Sequence, residues 1–107
     1  MTTFDKRKDA FENKFAHDAE LRFKAEARRN KLLGIWAAGE MGKGGDAAAA
    51  YAKEVIASDF EQAGEEDVFR KIRKDFDAAG TNRTDAQIRA KMAELMTTAM
   101  EQIAAEG

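Results

Sequence analysis

The absence of proline is the sequence feature that most strongly favours long helices in this chain. None of the 107 residues is proline, and runs of the strand-favouring residues Val, Ile, Thr and Tyr are missing, whereas Ala, Glu, Lys, Arg, Leu and Met fill most positions. Glycine is then the main residue that can end a helix, because it readily adopts the left-handed backbone conformation. These features predict an all-α protein.

Glycines and polar capping residues predict where the first two helices end and begin. Four glycines between residues 39 and 45 indicate that a long first helix ends near Glu40. Asp46 is the predicted N-cap of the second helix, because its carboxylate can accept hydrogen bonds from the free backbone N–H groups that follow it. The second helix is predicted to stop at Gly64.

The third and fourth helices have stronger local signals. The third is predicted from about Glu65 to Ala79, with three acids in its first turn and Gly80 at its end. Thr84 and Gln87 form a capping box, in which each side chain accepts a hydrogen bond from the other residue's backbone N–H, and this box predicts the start of the fourth helix.

Each predicted helix has apolar residues spaced by three or four positions, which indicates one buried face. Since short connections favour antiparallel neighbours, the chain is predicted to form a small four-helix bundle. The predicted core residues are Leu21, Ala25, Leu32, Ile35 and Trp36; Tyr51, Val55, Ile56 and Phe60; Val68, Phe69, Ile72, Phe76 and Ala79; and Ile88, Met92, Leu95, Met96, Ala99 and Ile103.

The N-terminal region differs chemically from the rest of the chain. The first 31 residues contain nine Lys or Arg and six acids, a formal charge of +3, whereas the remainder carries −5. A first helix that started at residue 1 would be too long for the bundle, and the apolar stripe is interrupted by Asp18 and Arg22. We therefore predict two parts: a flexible arm over residues 1–18, and a four-helix bundle domain over residues 19–107.

Three phenylalanines give the arm an apolar stripe. Phe4, Phe11 and Phe15 fall within about 40° of one another on a helical wheel. Because an isolated helix of this length is marginal in water, the arm is expected to be mobile alone and helical when its phenylalanines enter a groove. Two alternatives remain open: the phenylalanines cover the bundle, or the arm lies on a membrane surface.

Composition argues against several functional classes. The chain has no cysteine and one histidine, His17, so disulfides, thiol catalysis, a metal site and an enzyme are not expected, and no cofactor is predicted. A net charge of −2 argues against general nucleic-acid binding, and no apolar run suggests membrane insertion or a secretory signal. A cytoplasmic protein is expected. The basic cluster at residues 70–74 is predicted to be a solvated face with i,i+4 ion pairs.

Several stretches resemble the zeta subunit of alphaproteobacterial ATP synthases. They are residues 10–18 (AFENKFAHD), 20–25 (ELRFKA), 28–38 (RRNKLLGIWAA), 51–55 (YAKEV) and 66–71 (EDVFRK), so the resemblance covers essentially the whole chain. It implies a four-helix protein that inhibits ATP hydrolysis by the rotary F-type ATP synthase. In that family the N-terminal segment enters an interface between an alpha and a beta subunit, becomes helical, reaches toward the gamma subunit and stops rotation.

Transferred to this sequence, the resemblance implies an inhibitory element over residues 1–17. Phe4, Phe11 and Phe15 are the expected apolar anchors, and helix geometry suggests Asp5, Lys8, Glu12 and Lys14 as polar contacts. The expected partners are the alpha, beta and gamma subunits of the catalytic head. The protein would be monomeric when free and peripheral to the inner membrane when bound.

The main alternative is a small cytosolic helical adaptor or a nucleotide-responsive regulatory bundle. Such a protein would use the acidic outer face of the bundle, or a corner formed by Arg28 and Arg29, to hold another molecule.

Overall fold

Four helices make up the part of the chain that the structure describes. The structure is a computed structural model and describes residues 19–59 and 65–106. The helices are α1 (Ala19–Glu40), α2 (Gly45–Ser58), α3 (Glu65–Ala79) and α4 (Asp85–Glu106). No strand occurs in these two ranges, so the predicted all-α, four-helix fold is confirmed. The predicted arm, Phe60 and Gly64 lie outside the described residues.

Helix α1 is the central element of the bundle. It packs most extensively against α2 and α4 and also touches α3, whereas α2 and α4 do not contact each other. The smaller α2–α3 and α3–α4 contacts complete the ring of neighbours around the core. Any change in the position of α1 therefore affects all three other helices.

The end of α1 agrees with the glycine-based prediction. Gly42 adopts a positive φ of 79°, and the N–H of Lys43 donates to the carbonyl of Ala38 at 2.8 Å. The N–H of Gly42 also donates to the carbonyl of Gly39 at 3.1 Å. These two bonds form a Schellman motif, which satisfies carbonyl groups that the last turn would otherwise leave free.

The predicted boundaries of α2 are wrong at both ends. The helix begins at Gly45 with Gly44 as N-cap, because the carbonyl of Gly44 already accepts from the N–H of Ala47 at 3.2 Å. Asp46 therefore lies inside the first turn. The helix ends at Ser58 rather than Gly64, and the Ser58 hydroxyl donates to the carbonyl of Val55 at 2.6 Å. This side-chain bond competes with the backbone for the carbonyl.

The predicted bounds of α3 and the predicted start of α4 are confirmed. Helix α3 spans the predicted residues, and Gly80 follows it with a φ of 71°. In the capping box, the backbone N–H of Thr84 donates to Gln87 Oε1 at 2.9 Å, and the N–H of Gln87 donates to Thr84 Oγ1 at 3.1 Å. The glycine after α3 and the capping box of α4 each involve residues only a few positions apart, so both can be recognised without the tertiary structure.

Of the 19 predicted core residues that the structure describes, ten are buried, seven are partly buried and two are exposed. The main core consists of Leu33, Ala37, Ala38, Tyr51, Val55, Val68, Ile72, Phe76, Ile88 and Met92. Ile35 and Ala79 were predicted to be buried but are exposed. Ile35 points outward because α1 buries the neighbouring Leu33, Gly34, Ala37 and Ala38 instead.

A glycine sets the distance between α1 and α2. A Cβ atom on Gly34 would lie 2.6 Å from the Cα of Ala52 and 3.1 Å from its Cβ. The first distance is far below van der Waals contact, so the backbones approach more closely than any side chain at position 34 would permit. This close approach brings Tyr51 and Val55 of α2 into the main core.

The substitution Gly34→Ala is expected to destabilise the fold by about 1–3 kcal/mol, because the added methyl group must push α2 away from α1. Gly39→Ala is the matched control. It lies on the same helix with nothing within 4 Å of the added Cβ, and it should stabilise the helix by up to about 1 kcal/mol. Urea unfolding followed by circular dichroism measures both effects, and equal stability of the two variants would contradict the packing argument.

Tyr51, the only tyrosine, connects α2 to α3. Its hydroxyl donates to Asp75 Oδ2 at 2.7 Å, and the Lys71 ammonium donates to the same oxygen at 3.0 Å. The ammonium also lies 5.2 Å from the centre of the Tyr51 ring. Burial, and then the hydrogen bond to Asp75, raise the pKa of Tyr51 well above its ordinary value.

Tyr51 should remain neutral in the folded protein at alkaline pH. Its pKa is about 10 in the unfolded chain and higher in the folded state. The stabilisation is therefore complete below pH about 10 and is lost as the pH rises further. In an alkaline titration, tyrosinate absorbance should appear only together with the loss of helical circular dichroism. Tyrosinate formation near pH 10 in a fully helical protein would contradict this expectation, and denaturant-unfolded protein provides the reference titration.

Candidate functional site

The predicted inhibitory residues precede the described part of the chain. Phe4, Asp5, Lys8, Phe11, Glu12, Lys14 and Phe15 all lie within residues 1–18, outside the described residues. Their roles remain predictions. The structure describes the end of the bundle to which this segment is attached, at Ala19 of α1, and that end is the candidate functional site.

Helices α1 and α4 are longer than their neighbours. Each has 22 residues, compared with 14 in α2 and 15 in α3. At a rise of 1.5 Å per residue, this is about 33 Å against about 21–23 Å. The shorter helices therefore cannot cover α1 and α4 along their whole length.

A second, smaller core joins the N-terminal part of α1 to the C-terminal part of α4. Its members are Leu21, Ala25, Met96, Met100 and Ile103, and all of them belong to α1 or α4. We call residues 19–28 and 96–106 the stem. The stem has its own apolar cluster, distinct from the main core, and residues 1–18 are covalently attached to it.

Arg28 links the two helices of the stem through polar contacts. Its Nη1 donates to Gln102 Oε1 at 2.8 Å, and its Nη2 donates to both carboxylate oxygens of Glu106 at 2.8 and 2.9 Å. These charge-assisted bonds hold the C-terminal turns of α4 against α1. The residues are 74 and 78 positions apart in sequence, so no local pattern could have predicted the contact.

Arg29 is buried beneath the surface and is only 2% exposed. Its Nε donates to Asn30 Oδ1 at 2.6 Å, and its Nη1 lies 3.4 Å from Glu65 Oε1 at the start of α3. Since Arg28 is also bonded to α4, the two guanidinium groups do not form an exposed basic corner. The hypothesis that Arg28 and Arg29 together offer a binding corner is wrong in this respect.

The basic cluster of α3 forms ion pairs along its own helix, as predicted. Lys71 Nζ lies 3.0 Å from Asp75 Oδ2, and Arg73 Nη2 lies 2.7 Å from Asp77 Oδ1, both with i,i+4 spacing. Hydrogen bonds to Asp77 and then to Asp85 raise the pKa of Arg73. Because three of its four cations, Arg70, Lys71 and Arg73, have carboxylate partners, most of the cluster is paired rather than free to bind an anion.

A surface depression of about 520 Å³ lies between α2 and α3. It is lined by Glu54, Ala57, Ser58, Asp67, Arg70, Lys71, Lys74 and Asp75. Three basic and three acidic residues balance each other there, and Asp67 Oδ1 accepts a hydrogen bond from Arg70. The other Asp67 oxygen, Oδ2, is buried without a hydrogen-bond partner. This charge balance gives the depression no preference for an anion or a cation.

Residues 19–59 and 65–106 offer neither a metal-binding cluster nor a membrane-spanning helix. No group of three or more His, Cys, Asp or Glu side chains there is arranged to hold a metal ion. None of the four helices combines the length and the apolar character needed to cross a membrane.

Comparisons with known proteins identify similar chains. A family model described as ATPase inhibitor subunit zeta matches residues 1–102. A structure determined by solution NMR is 52% identical, with a TM-score of 0.72, and the alignment covers 81% of this chain and 99% of that one. No curated protein sequence matches the chain significantly.

Replacing Arg28 by Ala should loosen the stem more than the main core. Amide hydrogen exchange in the stem part of α1 is expected to become about 3- to 10-fold faster, because three hydrogen bonds to α4 are lost. Arg22→Ala is the control, since its ion pair with Glu26 lies within α1 and is largely exposed. Equal exchange rates in the two variants would show that the Arg28 contacts do not hold the stem together.

Proposed function

The chain belongs to the ATPase inhibitor subunit zeta family, and we propose that it inhibits ATP hydrolysis by an F-type ATP synthase through its N-terminal segment. In this proposal residues 1–18 enter an interface between an alpha and a beta subunit as a helix and reach toward the gamma subunit. The protein would lie at the membrane only through this partner. It would act by blocking rotation and would catalyse no reaction itself.

The observation that supports the proposal most strongly is the extent of the family match. It covers residues 1–102 and therefore includes both the N-terminal segment and the four helices. The inhibitory function of the family thus belongs to a unit in which residues 1–18 and the bundle occur together. The geometry of the described residues is consistent with this, because the main core and the stem contain most of the buried apolar residues of the bundle.

Inhibition of a rotary enzyme requires no chemistry from the inhibitor. A wedge blocks rotation if it binds one conformation of a subunit interface more tightly than the next, because the following rotational step then becomes unfavourable. Burial of each phenylalanine ring supplies about 1.5–3 kcal/mol toward this difference, and the cost of ordering the segment reduces it. Phe4, Phe11 and Phe15 are therefore the proposed anchors, with Asp5, Lys8, Glu12 and Lys14 as polar contacts.

The bundle has a mechanical role in this proposal. Because α1 is packed against three other helices, the inserted segment ends in a folded body that is too wide to follow it into the interface. The stem transmits force from the segment to the bundle, since Leu21 and Ala25 of α1 pack on α4 directly after residue 18.

The anchors can be tested by titrating the purified protein into the catalytic head of an F-type ATP synthase and following ATP hydrolysis. The triple variant with Phe4→Ala, Phe11→Ala and Phe15→Ala should need at least about 100-fold more protein for half-inhibition, because three apolar anchors are lost. Asp9→Ala with Asn13→Ala is the control, since both residues lie on the opposite side of the helical wheel.

The proposal is wrong if the triple variant inhibits as well as the unmodified protein. Removal of residues 1–18 provides a second test. Inhibition should disappear, whereas an adaptor that uses the outer surface of the bundle would keep its partner.

A further inference from the structure

Three of the five methionines lie on α4, at positions 92, 96 and 100, so that each is about one helical turn from the next. Their surroundings differ. Met92 belongs to the main core and is only 3% exposed, whereas Met96 and Met100 are half-buried and pack in the apolar cluster of the stem. The same helix therefore carries one thioether that is protected from solvent and two that solvent can reach.

The stem has little other apolar packing to replace these two side chains. Its cluster joins only α1 and α4, and Leu21, Ala25 and Ile103 are its other members among the described residues. Because Met96 and Met100 are four positions apart, they are neighbours on one side of α4. A polar change at both would thus remove two adjacent members of a cluster that only two helices share, whereas the main core joins all four helices.

The backbone of α4 is weakened at the same place. The Thr98 hydroxyl donates to the carbonyl of Glu94 at 3.2 Å. A hydroxyl that bonds to the carbonyl four residues earlier competes with the helical N–H donors and slightly destabilises the helix. Beyond this turn, Arg28 of α1 bonds to Gln102 and Glu106. The last turns of α4 can therefore separate from α1 while the main core stays packed.

We propose that Met96 and Met100 form an oxidation site through which peroxide opens the stem and weakens inhibition. The effect on inhibition rests on the proposed function, whereas the opening of the stem does not. In the reaction, the sulfur lone pair attacks one oxygen of hydrogen peroxide and the O–O bond breaks. The proton on the transferred oxygen moves to the departing hydroxide, which leaves as water. Sulfur is oxidised by two electrons to the sulfoxide, and peroxide is reduced.

Oxidation opens the stem because a sulfoxide is polar. The S–O group needs hydrogen bonds that the side chains of Leu21, Ala25 and Ile103 cannot supply, so it turns toward water and leaves the cluster. In the proposed mechanism the stem transmits force between the N-terminal segment and the bundle, so a loosened stem weakens the block. Two electrons from a pair of thiols return the sulfoxide to the thioether and release water, which makes the change reversible.

Peroxide treatment followed by peptide mass spectrometry tests the site. Met96 and Met100 should be oxidised at least about 10-fold faster than Met92, because reaction at Met92 requires the main core to open. Amide exchange in the stem should then become about 10-fold faster, while exchange in the main core changes less than about twofold.

Met96→Leu with Met100→Leu is the matched control, since leucine keeps the apolar volume and cannot form a sulfoxide. Met1 and Met41 remain in both proteins, so a difference between the two reports oxidation at positions 96 and 100. Peroxide should change stem exchange in this control by less than about twofold. Met96→Gln with Met100→Gln should open the stem without peroxide, and circular dichroism checks that the four helices remain.

The effect on inhibition is measured with the catalytic head of an F-type ATP synthase. After peroxide treatment, the unmodified protein should need about 3- to 10-fold more protein for half-inhibition, and the leucine control should not. Incubation of the oxidised protein with a methionine sulfoxide reductase and a dithiol should restore the original value.

The outcomes separate the oxidation site from the proposed function. If Met96 and Met100 react no faster than Met92, or if the stem exchanges equally fast in the peroxide-treated protein and the treated leucine control, the proposal is overturned. If the stem opens but inhibition is unchanged, the claim about inhibition is wrong and the inhibitory segment stands. If the untreated protein does not inhibit at all, the proposed function and the effect on inhibition both fail, whereas the exchange rates still decide whether peroxide opens the stem.

Discussion

The close approach of α1 and α2 at Gly34 is the contact on which the rest of the bundle depends. A side chain at this position would overlap the backbone of Ala52, so the two helices can pack at this distance only because glycine has no Cβ. The same contact orients α1: Leu33 and Ala37 face the core, and Ile35 faces water. The burial of Leu33 and Ala37 and the exposure of Ile35 are therefore two consequences of one helix orientation.

The unequal helix lengths give the bundle a distinct end. The main core joins all four helices, whereas the stem joins only α1 and α4 through Leu21, Ala25, Met96, Met100 and Ile103. Arg28 reinforces the stem with bonds to Gln102 and Glu106. Because regions with few buried apolar contacts open at lower free energy, the stem is expected to be less stable than the main core. An inhibitor that acts through its N-terminal segment would thus be attached at the part of the fold most able to adjust.

The proposed mechanism divides the work between the two parts of the chain. The phenylalanines of residues 1–18 would supply the preference for one conformation of the head, and the bundle would stop further entry. The ion pairs of α3 need no functional role in this scheme, because each cation discussed there is matched by a carboxylate of the bundle.

The sequence by itself determined the helical class, the ends of α3 and the start of α4. These features depend on hydrogen bonds between residues a few positions apart, such as those of Thr84 with Gln87, so they can be recognised without the tertiary structure. The phenylalanine pattern at positions 4, 11 and 15 is also visible in the sequence alone, but the N-terminal site that it predicts lies outside the described residues and stays a prediction.

Only the tertiary structure decided which side of α1 is buried and which groups Arg28 and Arg29 contact. Sequence spacing placed Ile35 in the core and left Arg28 and Arg29 as an open corner, but Ile35 is exposed, Arg29 is buried and Arg28 is bonded to α4. On α1, small residues as well as large ones face the partner helices, so its apolar spacing alone does not identify the buried side. That choice depends on the shapes of α2 and α4, which contact α1 from distant parts of the chain.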